Sequence, residues 1–229
     1  MNGKKILGIL TLLILVGGMF ATASLVFMQD NMSDEPVSTS GSGNTILAEF
    51  GHNRTIEIDG TGSIIWQATN LQGASDIEIL TNGNILVTEF NNNSIVEINR
   101  SGYIVWQYIT TSLCMDAERL DNGNTLIAEY SSGTIKEVDI NKSEVWSISG
   151  LTNPTDVERL SSGNTLIVDR SQKKVIEVNS GGVIVWQMTG LNDIYDAERL
   201  ANGNTMICYN RTVTEFTISG TVAWQYTVG

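Results

Sequence analysis

The chain holds 229 residues, 41% hydrophobic and 17% charged, with a formal net charge of −12. That hydrophobic content excludes a disordered chain, and the acidic balance excludes a nucleic-acid binder, which sets Lys and Arg against phosphate. The length divides into a 40-residue leader, four copies of a 40-residue unit and a fifth copy of 29, and a period of that kind excludes a single mixed α/β enzyme domain.

In the leader, Lys4 and Lys5 precede an uncharged, mostly apolar run over residues 6–29. About 20 apolar residues cross the hydrocarbon core as a helix, so residues 1–28 read as a signal anchor or a signal peptide. Ala21-Thr22-Ala23 has the small-residue form of a cleavage site. Residues 24–28 continue apolar beyond it, which fits an uncleaved anchor. Either way the Lys pair stays inside and the remainder is exported: anchored at the cell surface, or secreted where the leader is cleaved. Residues 29–40 form a linker and 41–229 the repeat domain. Sequons at Asn31, Asn53, Asn92, Asn99, Asn141 and Asn210 are glycosylation candidates and suit an exported chain. Without Lys4 and Lys5 the exported part carries −14, a charge that favours solubility and attracts cations. Cys114 and Cys208 occupy unrelated repeat positions and are not expected to pair.

Every repeat carries the same punctuation. Ser42-Gly43-Asn44, Asn82-Gly83-Asn84, Asn122-Gly123-Asn124, Ser162-Gly163-Asn164 and Asn202-Gly203-Asn204 are hairpin signals, read as turns whose two central residues both accept positive φ. After each turn comes a strand such as 125–130, then a second such as 134–139. A third contains the tryptophan, at Trp66, Trp106, Trp146, Trp186 and Trp224, and a fourth begins with an acid, as in 116–120. Four short antiparallel strands per repeat without a helical stretch predict an all-β fold, a β-propeller of about five blades.

The run Asp-Ala-Glu-Arg-Leu-x-Asn-Gly-Asn-Thr-Leu-Ile, followed by Glu-Val, a Gly turn and Val-Trp-Gln, resembles the repeats of arylsulfotransferase-type propellers. It is also similar to NHL repeats and to pyrroloquinoline-quinone-like repeats. The likeness covers 41–229 and implies the propeller fold. Activity would need more. Arylsulfotransferases of this type use several channel histidines and arginines, whereas His52 is the only histidine here. The quinone enzymes use a vicinal disulfide, and no adjacent cysteines exist. The reading is therefore a binding or assembly module with no evident catalytic site and no cofactor predicted, the alternative being an arylsulfotransferase-like enzyme with a degenerate site. A protein or glycan partner is expected.

Two residue sets stand out. Asp76/Glu78, Asp116/Glu118, Asp156/Glu158 and Asp196/Glu198 sit two apart, so each pair shares one side of its strand. In the channel-lining strand that the resemblance implies, they would form either a ring of inter-blade ion pairs with Arg119, Arg159 and Arg199, or a site for a hard cation such as calcium. Ile79 replaces the arginine in the first copy, leaving one glutamate without it. The second set lies in loops that differ between copies, 51–54, 91–93, 131–133 and 171–174 with 68–75, 108–115, 147–155 and 188–195. A propeller brings both groups to one face, where His52, Arg54, Lys173, Lys174, Asp193 and Tyr195 are binding candidates. The five tryptophans, all at one repeat position, read as packing residues. The last copy stops before its acidic strand, so the first blade lacks a regular inner strand. A degenerate strand over about 34–40, a three-stranded blade or a second chain would settle the closure.

Overall fold

Each repeat becomes four antiparallel strands because its turns stop the chain at fixed intervals. The computed structural model describes residues 44–227 and, before them, the backbone of three short strands, Leu15–Val16, Met19–Phe20 and Ser24–Phe27. In the second repeat Gly83 lies at φ 82° and its N–H donates to Leu80 O at 2.8 Å, while Leu80 N–H donates to Asn84 O at 2.9 Å. This is a type I turn closed by a left-handed glycine. Asn82 keeps a negative φ and its Oδ1 accepts the Asn84 N–H at 2.9 Å. The turn with two positive-φ residues expected from Asn-Gly is thus corrected to a longer one that needs glycine at a single position. Gly123, Gly163 and Gly203 repeat it at φ 85°.

The strands assemble into five four-stranded sheets. The first sheet holds Ser24–Phe27, Thr45–Glu49, Arg54–Ile58 and Ile64–Thr69; the second Ala74–Ile79, Ile85–Glu89, Ser94–Ile98 and Ile104–Ile109. Cys114–Arg119, Thr125–Glu129, Thr134–Val138 and Glu144–Ile148 form the third, and Pro154–Arg159, Thr165–Asp169, Lys174–Val178 and Ile184–Thr189 the fourth. The fifth holds Ile194–Arg199, Thr205–Tyr209, Thr212–Phe216 and Val222–Thr227. Each is a meander in chain order, and together they make a five-bladed all-β propeller. Below, the strands of a blade are called inner, second, third and outer in that order.

The first blade is where the sequence expectation differs most. Its inner place is taken by Ser24–Phe27, antiparallel to Thr45–Glu49 with Leu25 opposite Ala48. Ser-Leu-Val-Phe suits a strand, whereas the expected 34–40 segment contains Pro36, which cannot donate to a ladder. The 34–40 segment lies outside the described residues, as does most of the leader. Among the described residues no helix is long and apolar enough to cross a membrane.

Apolar burial occurs between blades. Ile46 and Ala48 of the first blade pack with Ile77, Val87 and Ile98 of the second, and Leu126 and Ala128 of the third with Val157 and Ile167 of the fourth. A four-stranded sheet presents two faces, so each blade is covered only by its neighbours. The tryptophans close the outer part of these seams. Trp66, Trp106, Trp146 and Trp186 donate their indole N–H to a turn carbonyl of the following blade, Arg100, Ile140, Ser180 and Ile218 respectively, at 2.9, 3.1, 2.8 and 3.2 Å. A guanidinium from that following blade lies over each ring, Arg119 at 4.7 Å from Trp106, Arg159 at 5.2 Å from Trp146 and Arg199 at 4.7 Å from Trp186.

The same arginines reach back to third-strand glutamates: Arg119 to Glu97 at 3.2 Å, Arg159 to Glu137 at 2.9 Å and Arg199 to Glu177 at 2.8 Å. These guanidinium groups are engaged at the outer seam, while Glu78, Glu118 and Glu158 accept the main-chain amides of Arg119, Arg159 and Arg199. At the first junction, where Ile79 replaces arginine, Arg100 enters from the turn, pairs with Glu57 and covers Trp66 at 5.3 Å. Removing the fourth-blade guanidinium leaves Glu137 half of a desolvated pair. Arg159→Ala is therefore expected to lower stability by about 1–3 kcal/mol. Urea unfolding checks this, with the exposed turn variant Ser161→Ala within about 0.5 kcal/mol of the parent.

Candidate functional site

The connections from second to third strand and from outer to inner strand emerge at the end of the propeller opposite the Asn-Gly turns. Buried acids at the ends of the second strands hold these divergent loops. Glu89 Oε1 accepts the Gln72 N–H at 2.9 Å, Glu129 Oε1 the Thr111 N–H at 3.1 Å, and Asp169 Oδ2 the Thr152 N–H at 3.0 Å. In the third blade Lys136 Nζ also reaches Glu129 at 3.0 Å, and both residues are buried. Gly133 allows the closest approach there: at φ 66° its carbonyl accepts the Leu151 N–H at 3.1 Å, and an added Cβ would sit 2.0 Å from Leu151 O. The loops therefore differ in sequence yet hang from a fixed polar frame. Sequence reading passed over these acids, although Glu49, Glu89, Glu129 and Asp169 recur at one repeat position.

The variable-loop candidates fall into two groups. On the fourth and fifth blades, Lys173 lies in the loop at φ 54° just before Lys174 begins a third strand, and the Lys173 carbonyl accepts the Leu191 N–H at 3.0 Å, joining that loop to the one carrying Asp193 and Tyr195. Asp193 is exposed at φ 49°, and its carbonyl accepts the Asn210 N–H at 3.3 Å. Tyr195 is half-buried, its ring centroid 4.1 Å from the Arg170 guanidinium, which also donates to its hydroxyl. Arg170 was not singled out from sequence; only its place between Asp169 and the divergent loop marked it. His52 and Arg54 stand apart on the first blade. His52 is 63% exposed with Nδ1 3.6 Å from Glu49, while Arg54 pairs with Glu49 and donates to Gln67 at 3.2 Å. Among the sequons, Asn92, Asn141 and Asn210 are exposed, Asn53 and Asn99 are half-buried, and Asn31 lies outside the described residues.

Around the axis the paired acids bond to main-chain amides. Asp116 Oδ2 accepts the Val157 N–H at 2.8 Å and Glu118 Oε2 the Arg159 N–H at 2.7 Å. Asp156 accepts from Ala197 at 3.1 Å, Glu158 from Arg199 at 2.9 Å, and Glu78 from Arg119 at 2.7 Å. Side-chain hydrogen bonds also link Asp76 to Asp116 and Asp156 to Asp196. Among the described residues no group of three or more His, Cys, Asp or Glu side chains is placed to hold a metal ion. Cys114 and Cys208 are free and buried, and burial first of all pushes the Cys114 thiol up to about 12.

The family model described as outer membrane protein assembly factor BamB, of pyrroloquinoline-quinone-like repeat type, matches residues 22–162. The chain belongs to that family. No curated protein matches. Solved structures agree on the fold of this BamB-family chain. A Bacteroides caccae protein of unknown function superimposes with a TM-score of 0.68 at 17% identity, over 92% of this chain and 91% of that one. Virginiamycin B lyase from Staphylococcus aureus, catalytically inactive and with quinupristin, gives 0.66 at 14% identity over 93% and 82%. The BBS1N structure in complex with ARL6DN gives 0.60 at 13% identity over 82% and 63%.

In this BamB-family propeller burial and crowding raise the proton affinity of three axial aspartates, Asp76, Asp156 and Asp196. Burial, then the charge of Asp116 and of Glu78, hold Asp76 well above the usual carboxylate range. Burial, then Asp196, Asp116 and Glu158, do the same to Asp156. Burial, then Asp116, Glu198 and Glu158, push Asp196 up to about 8 against the Asp156 hydrogen bond. Between about pH 4 and pH 8 the folded chain keeps protons that the unfolded chain has released, so these groups make stability fall as pH rises through that window. Asp196→Asn is expected to be at least about 1 kcal/mol more stable than the parent at pH 8, the difference shrinking toward pH 4. Thermal unfolding across that range measures it, and a variant weaker than the parent at pH 8 would contradict the reading.

Proposed function

We propose that this chain is an extracytoplasmic binding and assembly module that works without catalysis, engaging a protein partner through its variable-loop end. The observation that carries the reading is the contrast between the two ends of the blades. One end repeats the same Asn-Gly turn, while the other carries loops of different sequence hung on the buried carboxylates of Glu89, Glu129 and Asp169. Rigid elements presenting divergent loops are how propeller-like scaffolds offer a specific surface. On that end Arg170, Lys173, Lys174, Asp193 and Tyr195 combine an aromatic ring, cations and an acid, a mixture suited to a polar protein surface. The family's description as an outer membrane protein assembly factor supports both the assembly role and a place outside the cytoplasm. BBS1N, of similar fold, is seen in complex with another protein. In this reading the apolar run ahead of Ser24, where the inner strand of the first blade begins, tethers the propeller to the membrane, or releases it where cleaved, with the variable end free to meet its partner.

Site-specific photo-crosslinking in cells that make the protein tests this. A photoreactive residue at Lys174 or Asn92 is expected to give one discrete protein adduct, lost when Tyr195→Ala is added. Photoreactive residues at Ser162 or Ser180, on the turns at the other end, are expected to give none. Equal adducts from both ends, or none from the variable end, would refute the proposal.

A further inference from the structure

The arginine latch between blades is built five times and filled four times. In every blade the third-strand glutamate lies directly across the ladder from the outer-strand tryptophan: Glu57 from Trp66, Glu97 from Trp106, Glu137 from Trp146, Glu177 from Trp186 and Glu215 from Trp224. Turn asparagines fix one oxygen of each carboxylate. Asn44, Asn84, Asn124 and Asn164 donate to Oε1 of Glu57, Glu97, Glu137 and Glu177 at 2.7, 2.7, 2.6 and 2.6 Å. The other oxygen, Oε2, takes the guanidinium of Arg100, Arg119, Arg159 or Arg199.

The fifth copy has every protein part of this arrangement. Glu215 Oε1 accepts from Asn204 at 2.5 Å and from Asn202 at 3.0 Å. Among the described residues no cation pairs with Glu215, and Trp224 is 49% exposed where Trp106 is 9%. Among the described residues the Trp224 indole N–H has no turn carbonyl like those that receive the other four. Nor does the sequence carry an arginine for the place. The first repeat has Gly60 where the second has Arg100, and residues 1–43 contain no arginine.

Arg100 identifies what such a place accepts. This one residue lays its guanidinium over Trp66, pairs it with Glu57, and receives the Trp66 indole N–H on its own carbonyl at 2.9 Å. We propose that Glu215, Trp224, Asn202 and Asn204 form a binding site for an arginine of a partner protein, presented on an exposed segment with its main-chain carbonyl toward the indole N–H. The planar guanidinium stacks on the ring while meeting the carboxylate edge-on, which the compact ammonium of lysine does not reproduce. The acidic surface, net −12 over the chain, favours a cationic partner segment. The site lies at the Asn-Gly turn end and stands apart from the variable-loop reading, so either can fail alone.

The test uses the full chain in detergent micelles, with its tryptophan indoles labelled with ¹⁵N. It is titrated with Nα-acetyl-arginine methylamide and, separately, with the lysine and citrulline analogues. The Trp224 indole signal, assigned through Trp224→Phe, is expected to shift saturably at millimolar arginine analogue while the other four stay fixed. Glu215→Gln should weaken the response about fivefold, with the four other signals reporting an intact fold. The lysine and citrulline analogues should each bind several-fold more weakly than the arginine analogue. A Trp224 signal that moves with protein concentration and returns on adding the arginine analogue also supports the site and assigns its arginine to a second copy. A Trp224 signal that never shifts, or that responds alike to all three analogues, overturns the proposal.

Discussion

The inner edge of each blade sets the constraint on which the fold depends. A meander leaves its first strand with unpaired amides on one side, and around the axis of a propeller those amides face the neighbouring blade in place of water. Buried amides must find acceptors. Here the neighbour supplies carboxylates: Asp116 and Glu118 sit two apart because the amides they receive, Val157 and Arg159, also sit two apart on an edge strand. The acid pairs answer the backbone of the next blade. Crowding so many carboxylates near one axis then raises the proton affinity of the aspartates, and Asp156 and Asp196 share a hydrogen bond. Asp76 and Asp116 are linked in the same way.

Farther from the axis the same seams change character. Apolar residues such as Ile127 and Val138 fill the middle, and the tryptophan with its arginine closes the outside. The junctions from the second blade to the fifth therefore combine amide–carboxylate bonds, apolar packing and a cation over an aromatic ring, in that radial order. Stability built from such neighbour contacts leaves the loops at one end free of the repeat's demands. The acids that end the second strands reach out to hold them, together with main-chain bonds between neighbouring loops. A constant seam with a divergent rim is the arrangement that makes the binding reading coherent.

Much of this was legible in the sequence. Period, turn dipeptides and strand-like runs pointed to about five blades, all but the first with four strands, and five tryptophans at one position pointed to packing. The misreadings have a common cause. Arg119, Arg159 and Arg199 face away from the glutamates that precede them, which suggested pairing with the channel glutamate of the next blade, yet their guanidinium groups reach third-strand glutamates and Glu78, Glu118 and Glu158 each give one oxygen to a main-chain amide. Backbone partners leave no trace in side-chain patterns. Arg100 filling the place vacated by Ile79 was hidden because it comes from a different repeat position. Arg170 against Tyr195 joins residues 25 apart, and a contact between loops has no periodicity to betray it. The inner strand of the first blade was sought next to Thr45, whereas Ser24–Phe27 pairs there.

The central claim is that carboxylates of one blade hold the backbone amides of the next, and native-state hydrogen exchange addresses it most directly. The account predicts that the amides of Val157, Arg159, Ala197 and Arg199 exchange only through global unfolding, as slowly as those inside the ladders, although no strand pairs with that edge. Exchange at these four positions as rapid as in the variable loops would contradict it.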